Sequence, residues 1–244
     1  MAQRSFGSGL LFATNLAANS TPVQFGTLQD VTLDISRTLK ELYGQAQFPV
    51  AVGAAQQKIT GKAKVGQVNG RLYNDLFFGG TMATGQTLLV YQEAGTIPAT
   101  TTYTVTVSGS ANFVDDEGVL YAATGLPFTK VASAPTQGQY SVAAGVYTFA
   151  AADASAAVLI SYTKTSATAG NTITVGNPLQ GVQPTFSIVV SRQYNGQQEA
   201  FKLWSCIASK LSVPTKMADW GITEIDFTAF ADSAGRVITP YVSE

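Results

Sequence analysis

The chain has 244 residues, of which 45 % are hydrophobic and only 12 % are charged, with a formal net charge of −1 and no histidine. A chain of this length can bury a sizeable core, as one large domain or one domain with an insertion. The absence of histidine excludes Ser–His–Asp triads, Cys–His nucleophiles and most zinc sites. A net charge near zero offers no overall attraction for nucleic acid or membranes and favours association. The composition fits either a self-assembling protein or an ordinary all-β protein with a Thr-rich surface.

Residues 1–21 are rich in Ser, Asn, Ala and Gly, with one apolar cluster at Leu10, Leu11 and Phe12. Such a composition favours a mobile terminus or an arm that orders on a neighbour. We expect the arm to be disordered in the free subunit and to dock on a neighbouring subunit through the apolar cluster. On this hypothesis, deletion through Thr21 leaves a folded protein that associates poorly with neighbouring subunits.

Two alternating segments follow the arm and predict strands. In the first, apolar Val31, Leu33 and Ile35 alternate with a polar and acidic set: Asp30, Thr32, Asp34 and Ser36. In the second, a basic set alternates with an apolar and small one: Lys58, Thr60, Lys62 and Lys64 against Ile59, Gly61, Ala63 and Val65. The small residues Gly61 and Ala63 indicate that another group packs closely on that face.

At residues 68–78 the apolar residues change from the alternation of a strand to the spacing of a helix. This predicts a short helix with Asn69 as a possible cap and Gly79 as its end. Leu72 and Leu76 lie on one side of this helix, as an amphipathic stripe requires. We expect that side to cover an open sheet edge or mouth.

Residues 97–169 contain short β runs separated by turn signals, typical of an all-β elaboration of the main fold or of a separate Ig-like lobe. Residues 153–155 predict a hairpin turn between strands at 146–149 and 158–162. The aromatic residues here are interpreted as cross-strand packing groups rather than a ligand platform: Tyr140, Tyr147, Phe149 and Tyr162.

Long strands return after residue 170, so the β core is predicted to comprise residues 22–96 and 170–244. Asn195-Gly196 is a strong hairpin-turn signal. The single cysteine, Cys206, lies in an apolar run and predicts a buried free thiol.

Candidate chemical sites are few. Residues 115–118, Asp-Asp-Glu-Gly, resemble a cation loop but lack calcium-ligand spacing, so a solvated acidic turn is predicted. Asp30 with Asp34, or Glu224 with Asp226, could form acid–base pairs, but same-strand carboxylates are more typical of solvated faces. We therefore predict no catalytic, cofactor-binding or metal-binding residues, no cofactor and no enzyme activity.

The segment TLQDVTLDISRTLKELYGQAQFPVAVGAAQQKITGKAKVGQVNGRLYNDLFFG resembles the tail tube proteins of long-tailed bacteriophages. In that family a strand, a "keLyG…FPv" corner, a "kitGkA" strand and a short helix follow in this order. The middle segment AATGLPFTKVASAPTQGQYSVAAGVYTFAAADASAAVLISYTKT and the ending PTFSIVVS…CIASKLSVPTKMADWGITEIDFTAFADSAGRV are similar to the same family. These motifs are structural, and the resemblance extends over most of the chain beyond residues 1–21.

The resemblance implies two packed antiparallel sheets, a β-sandwich or barrel, with one short flanking helix. It implies hexameric rings, each a continuous β-barrel, stacked into the tube that delivers the genome. Expected partners are the chain itself and the tail terminator, tape measure and baseplate proteins, with double-stranded DNA passing through the lumen without specific binding. The expected location is the virion tail, after assembly in the host bacterial cytoplasm and without a membrane span.

If the genome slides through the tube, the inner wall of the tube should not bind DNA phosphates tightly. We therefore assign the Asp30/Asp34 face to the lumen or its rim, and the Lys58/Lys62/Lys64 face to subunit contacts or the outer wall. The alternative is that both faces are solvated exterior. The rival from another class is a monomeric β-sandwich binding module, such as an adhesin or carbohydrate-binding domain, with exposed aromatic residues.

Overall fold

The computed structural model describes Gly7, residues 9–67 and residues 69–243. The described chain is mainly β, as predicted, with one α-helical turn, α1 (Gly70–Tyr73), continued by the π-helical turn Asn74–Phe78. The strands in these residues are β1 (Leu10–Asn15), β2 (Val23–Gln24), β3 (Leu28–Tyr43), β4 (Pro49–Val65), β5 (Thr81–Thr96), β6 (Thr104–Thr106), β7 (Phe113–Tyr121), β8 (Thr129–Lys130), β9 (Gln139–Ala143), β10 (Val146–Phe149), β11 (Ala157–Thr174), β12 (Phe186–Tyr194), β13 (Gln197–Ser212), β14 (Thr223–Phe230) and β15 (Ile238–Val242).

The chain divides into two compact units, Met1–Met82 with Ile173–Glu244, and Ala83–Thr172. The first unit contains one eight-stranded sheet in the order β2-β1-β12-β13-β14-β4-β3, with β15 also paired to β13. Every pairing recorded in it is antiparallel. The order starts at β2 and ends at β3, so the sheet formed by the described residues is open and is not a closed barrel.

The sheet of the first unit curls over its own core. Val31 and Leu33 of β3 line the same cleft as Val190 of β12 and Phe201 of β13, although β3 and β12 are far apart in the strand order. Alternating apolar residues of β1, β4, β12 and β14 meet in one cluster on the concave side. The turn predicted at Asn195-Gly196 is confirmed, since both residues have positive φ and Tyr194 pairs with Gln197.

The prediction that residues 1–21 form an arm docking on a neighbour is wrong for β1. Leu11 is fully buried and Ala13 nearly so, and β1 pairs with both β2 and β12 inside the sheet of its own chain. The apolar cluster therefore fills its own core, because Leu11 alternates with the outward-facing Leu10 in a strand. Deletion through Thr21 would remove an interior strand. Residues 1–6 and 8 lie outside the described residues.

The short helix is confirmed within residues 69–78, and Val68 lies outside the described residues. The Asn69 side chain accepts a hydrogen bond from the Arg71 backbone N–H, and Gly79 ends the helical segment with φ +60°. Leu72 and Leu76 are buried in the core cluster of the first unit, as their spacing predicted.

We expect Leu72→Ala to lower the free energy of unfolding by about 2–5 kcal/mol, because it opens a cavity under a side chain that is only 1 % exposed. Chemical denaturation followed by circular dichroism measures this loss. Leu179→Ala is the control, since Leu179 is exposed, and it should change stability little. Equal effects of the two substitutions would contradict the assigned burial of Leu72.

The close packing predicted at Gly61 is confirmed. Gly61 pairs with Phe227 across β4 and β14, and a Cβ built on Gly61 would lie 2.2 Å from the Phe227 ring. Leu33 of β3 approaches the same point. The glycine therefore makes room for an aromatic ring that is itself buried in the core.

Gly61→Ala should accordingly destabilise the fold by about 1–3 kcal/mol through overpacking. Gly53→Ala in the same strand is a matched control, because nothing lies within 4 Å of a Cβ at Gly53. Thermal unfolding of both variants compares the two positions. A Gly61→Ala protein as stable as Gly53→Ala would contradict the tight contact with Phe227.

The second unit contains two sheets of its own, in the orders β6-β10-β9-β8 and β5-β11-β7. Its core is a separate aromatic-rich cluster that includes Phe128, Tyr140, Tyr147, Phe149 and Tyr162. The described residues thus form three sheets in two units, where the resemblance implied two packed sheets and residues 97–169 were predicted to be an elaboration of them. The pairing of β8 with β9 is parallel over two residues.

The hairpin predicted at residues 153–155 is wrong. The flanking strands lie in different sheets, because β10 pairs with β6 and β9 whereas β11 pairs with β7. The connection is a short 3₁₀ turn, Ala151–Asp153, followed by Ser155 at φ +64°. Asp153 is buried, and its carboxylate accepts hydrogen bonds from Tyr121 and the Gly138 N–H. These turn residues therefore connect β10 in one sheet to β11 in the other.

Candidate functional site: a candidate self-association surface

The most unusual surface of the first unit is the outer part of the β3–β4 pair. We call residues 34–58 the ribbon. Every ribbon residue is exposed except Pro49, which is half-buried. The two strands remain paired along it, from Ser36 with Lys58 to Tyr43 with Pro49. The ribbon is thus a regular two-stranded structure that the described part of the chain leaves uncovered.

The ribbon is apolar as well as exposed. Its exposed large hydrophobic residues are Ile35, Leu39, Leu42, Tyr43, Phe48, Val50 and Val52. Phe48, close to the tip, is 80 % exposed. Leu39 and Leu42 lie on opposite faces, since Leu39 pairs with Ala54 and Leu42 with Ala51 three positions along β4. Two-stranded hairpins are marginally stable in water, and exposed apolar patches of this kind mark interaction sites.

The alternating patterns predicted strands only at the two ends of the ribbon, around residues 30–36 and 58–65, and did not predict the exposed pairing between them. The sequence signal for this exposure was the loss of alternation after Ser36. Apolar residues that occupy both faces of a strand pair cannot all pack against one core.

The acidic set of β3 and the basic set of β4 form a single face, which corrects the earlier assignment. The register pairs Asp30 with Lys64, Thr32 with Lys62 and Ser36 with Lys58, and directly opposed residues project from the same side of a sheet. The prediction that the Asp30/Asp34 and Lys58/Lys62/Lys64 sets lie on different faces is therefore wrong.

Glu224 and Asp226 of β14 join this face, which we call the paired face. β14 lies beside β4, with Glu224 opposite Lys64 and Asp226 opposite Lys62. The charged residues of the paired face balance, four acidic against four basic: Asp30, Asp34, Glu224 and Asp226, and Lys58, Lys62, Lys64 and Lys210.

Ion pairs connect the strands across the paired face. Lys62 Nζ lies 2.9 Å from Glu224 Oε1 and 3.8 Å from Asp226 Oδ1, and Lys210 Nζ lies 3.2 Å from the same Glu224 oxygen. Lys64 Nζ lies 3.8 Å from Asp30. The hydrogen bond from Lys62 lowers the pKa of Glu224, and acceptance by Glu224 raises the pKa of Lys62. Glu224 therefore carries a negative charge that the ammonium groups of Lys62 and Lys210 neutralise.

In the second unit the structure corrects the prediction for residues 115–118. Asp116 lies in β7 with a side chain only 3 % exposed, not in a solvated turn. Its carboxylate accepts hydrogen bonds from the hydroxyls of Tyr140 at 2.7 Å and Tyr147 at 2.9 Å, and pairs with Lys130 at 3.0 Å. Burial acts to raise the pKa of Asp116, but these hydrogen bonds outweigh it, so the pKa lies below its ordinary value.

Glu93 repeats this arrangement. Its carboxylate accepts hydrogen bonds from the Tyr162 hydroxyl at 2.7 Å and from the backbone and side chain of Ser108. Burial acts against ionisation, and the hydrogen bonds again leave the pKa of Glu93 lowered. The tyrosines are packing residues, as predicted, with Tyr140 stacked on Tyr147. The sequence alone did not predict that the hydroxyls of Tyr140, Tyr147 and Tyr162 each donate a hydrogen bond to a carboxylate.

The described residues contain no group of three or more His, Cys, Asp or Glu side chains placed to hold a metal ion. Among the helical segments that the structure describes, none combines the length and apolar character needed to cross a membrane. Cys206 is buried in β13, as predicted, and burial raises the pKa of its thiol to about 12. No protein-family model matches the chain, and no curated protein is significantly similar to it.

The lowered pKa values of Asp116 and Glu93 predict a loss of stability in acid. A carboxyl whose pKa falls on folding contributes fully above its unfolded value, and the contribution is lost as the pH drops through the lower folded value. With ordinary values of 3.8 and 4.5, the free energy of unfolding should decline below about pH 4.5. Urea titrations at several pH values measure the decline.

Asp116→Asn should reduce this pH dependence and lower the free energy of unfolding near pH 7 by about 1–3 kcal/mol, because buried donors lose a charged acceptor. Asp115→Asn is the control, since Asp115 is the exposed neighbour in the same strand. Identical pH profiles for the two variants would contradict the role given to Asp116.

Proposed function

We propose that this chain is a structural protein that assembles with copies of itself, as the tail tube protein of a long-tailed bacteriophage. Hexameric rings, joined through their sheets, stack into the tube that conducts the genome into the host. The tube belongs to the virion tail, is assembled in the host cytoplasm, and contacts the tail terminator, tape measure and baseplate proteins. The observation that carries the proposal is the exposed apolar ribbon, residues 34–58.

The energetics of the ribbon support association. Full burial of a large apolar side chain contributes about 1.5–3 kcal/mol, and seven such residues stand exposed on this hairpin. A monomer gains nothing from them and risks aggregation. A second copy that covers the ribbon recovers this burial and also orders a hairpin that is marginal alone.

The free edge of the sheet supports the same proposal. β3 is sixteen residues long and ends the strand order, so from Asp30 to Tyr43 it pairs with β4 and with no other strand that the structure describes. Such edges pair readily with other chains, and closure into a ring removes them. Contacts between different surfaces of identical subunits generate rings or open helical assemblies, which is the geometry that stacked rings require.

Electron microscopy and sedimentation velocity of the purified protein test the proposal. The native chain should form rings or tubes at high concentration, and Leu42→Ser with Phe48→Ser should suppress them, because both side chains belong to the ribbon. Leu126→Ser with Leu179→Ser is the matched control: these leucines are 62 % and 84 % exposed, against 63 % and 80 % for Leu42 and Phe48. Circular dichroism verifies that both variants fold.

The control variant should assemble as the native chain does. A native protein that remains monomeric at high concentration in several salts would refute the proposal and favour the rival, a monomeric β-sandwich binding module. Equal assembly by both double variants would show that the ribbon is not the contact.

A further inference from the structure

We propose that Asn195 is a site of spontaneous covalent modification, at which the side-chain amide is converted to a carboxyl group through a cyclic imide formed with the backbone nitrogen of Gly196. The chain contains a second Asn-Gly pair, Asn69-Gly70, to which the same chemistry is available. The fold leaves the pair at Asn195 reactive and protects the pair at Asn69. The inference goes beyond the proposed function and does not depend on it.

The reaction is an intramolecular ring closure. The Gly196 N–H loses its proton to a base, and the nitrogen attacks the side-chain carbonyl carbon, Cγ, of Asn195. A five-membered imide forms as the proton is returned to the departing amide nitrogen, which leaves as ammonia. Water then opens the ring at either carbonyl and yields aspartate or isoaspartate. A glycine in second place favours closure, because no Cβ obstructs the approach of its nitrogen.

Asn195 lies where this reaction meets few obstacles. It is exposed, and its side-chain amide makes no hydrogen bond to the residues that the structure describes. Nothing lies within 4 Å of the position that a Cβ on Gly196 would take. The two residues form the turn of the β12–β13 hairpin, with φ +50° and +78°. Ring closure requires this turn to open, and exposed loops open locally at little cost in free energy.

Asn69 is held on both sides of the bond that would react. Its side-chain oxygen accepts a hydrogen bond from the Arg71 backbone N–H at 3.0 Å. On the other side, the Gly70 carbonyl accepts a hydrogen bond from the Asn74 backbone N–H. Gly70 begins α1, whose Leu72 is buried in the core cluster of the first unit. Release of Asn69 therefore breaks the cap of α1 and disturbs the packing of Leu72.

Modification of Asn195 changes the end of the hairpin. Isoaspartate adds one methylene group to the backbone, so the two-residue turn cannot keep its present geometry. Gln198, three residues further on, exchanges backbone hydrogen bonds with Ser243 and donates from its side chain to Ser191. Ser243 directly follows β15. A distorted turn therefore loosens the attachment of the last strand to β13.

Peptide mapping by mass spectrometry, after incubation of the purified protein in a mildly alkaline buffer, tests the proposal. The peptide with Asn195 should gain the mass that distinguishes a carboxyl group from an amide. Its modification should be about tenfold faster than that of the peptide with Asn69, a ratio equivalent to about 1.4 kcal/mol of protection. In concentrated urea the two peptides should react at similar rates, because the protection of Asn69 comes from the fold.

Two variants localise the effect. Asn195→Gln should abolish modification of the turn peptide, because glutamine would have to form a larger ring, and it should leave the rate at Asn69 unchanged. Leu72→Ala should accelerate modification of Asn69, because it weakens the packing that holds α1, and it should leave the rate at Asn195 unchanged. An Asn69 rate that Leu72→Ala does not raise would contradict the protection assigned to α1.

Equal rates at Asn195 and Asn69 in the folded protein would overturn the proposal, since the fold would then not discriminate between the two pairs. Faster modification at Asn69 would overturn it equally. So would an unmodified Asn195 in folded protein over a period in which the urea-unfolded chain reacts. Each measurement uses unassembled protein, so its outcome is independent of whether the chain forms rings or tubes.

Discussion

The antiparallel register between β3 and β4 is the constraint on which most of this structure depends. It places Asp30 opposite Lys64 and Leu33 opposite Gly61, and so sets one charged face and one apolar face. The same pairing continues beyond the core, where no other element covers either face among the described residues, and there it forms the ribbon. One hairpin thus contributes residues to the core, forms part of a charge-balanced surface and extends into the exposed apolar ribbon.

Much of this could be predicted from local sequence, because period and turn chemistry are local properties. The strands of the core, the helix with its Asn69 cap and Gly79 end, the Asn195-Gly196 turn and the buried Cys206 were all accessible in this way. Each depends on residues within a few positions of one another, which is the range over which propensity and alternation operate.

The errors arose where the outcome depends on distant pairing. Whether Asp30 shares a face with Lys64 depends on register, and a shift of one position would have separated them. Leu11 was taken for a docking anchor because its partner strand, β12, begins 175 residues later at Phe186. Asp116 was taken for a solvated residue because the tyrosines that bind it come from β9 and β10.

The contrast between the near pairing of β3 with β4 and the distant pairing of β4 with β14 has a consequence for biosynthesis. Local contacts form quickly, whereas contacts between residues far apart in sequence form slowly. The hairpin can close as soon as residue 65 has been made, but β4 cannot gain its second neighbour until residues 223–229 are available. During most of translation, then, an apolar hairpin exists without the sheet that anchors it. Polysomes making this chain would hold many such hairpins side by side, so the rate of synthesis, and not only the final concentration, sets the risk of premature association.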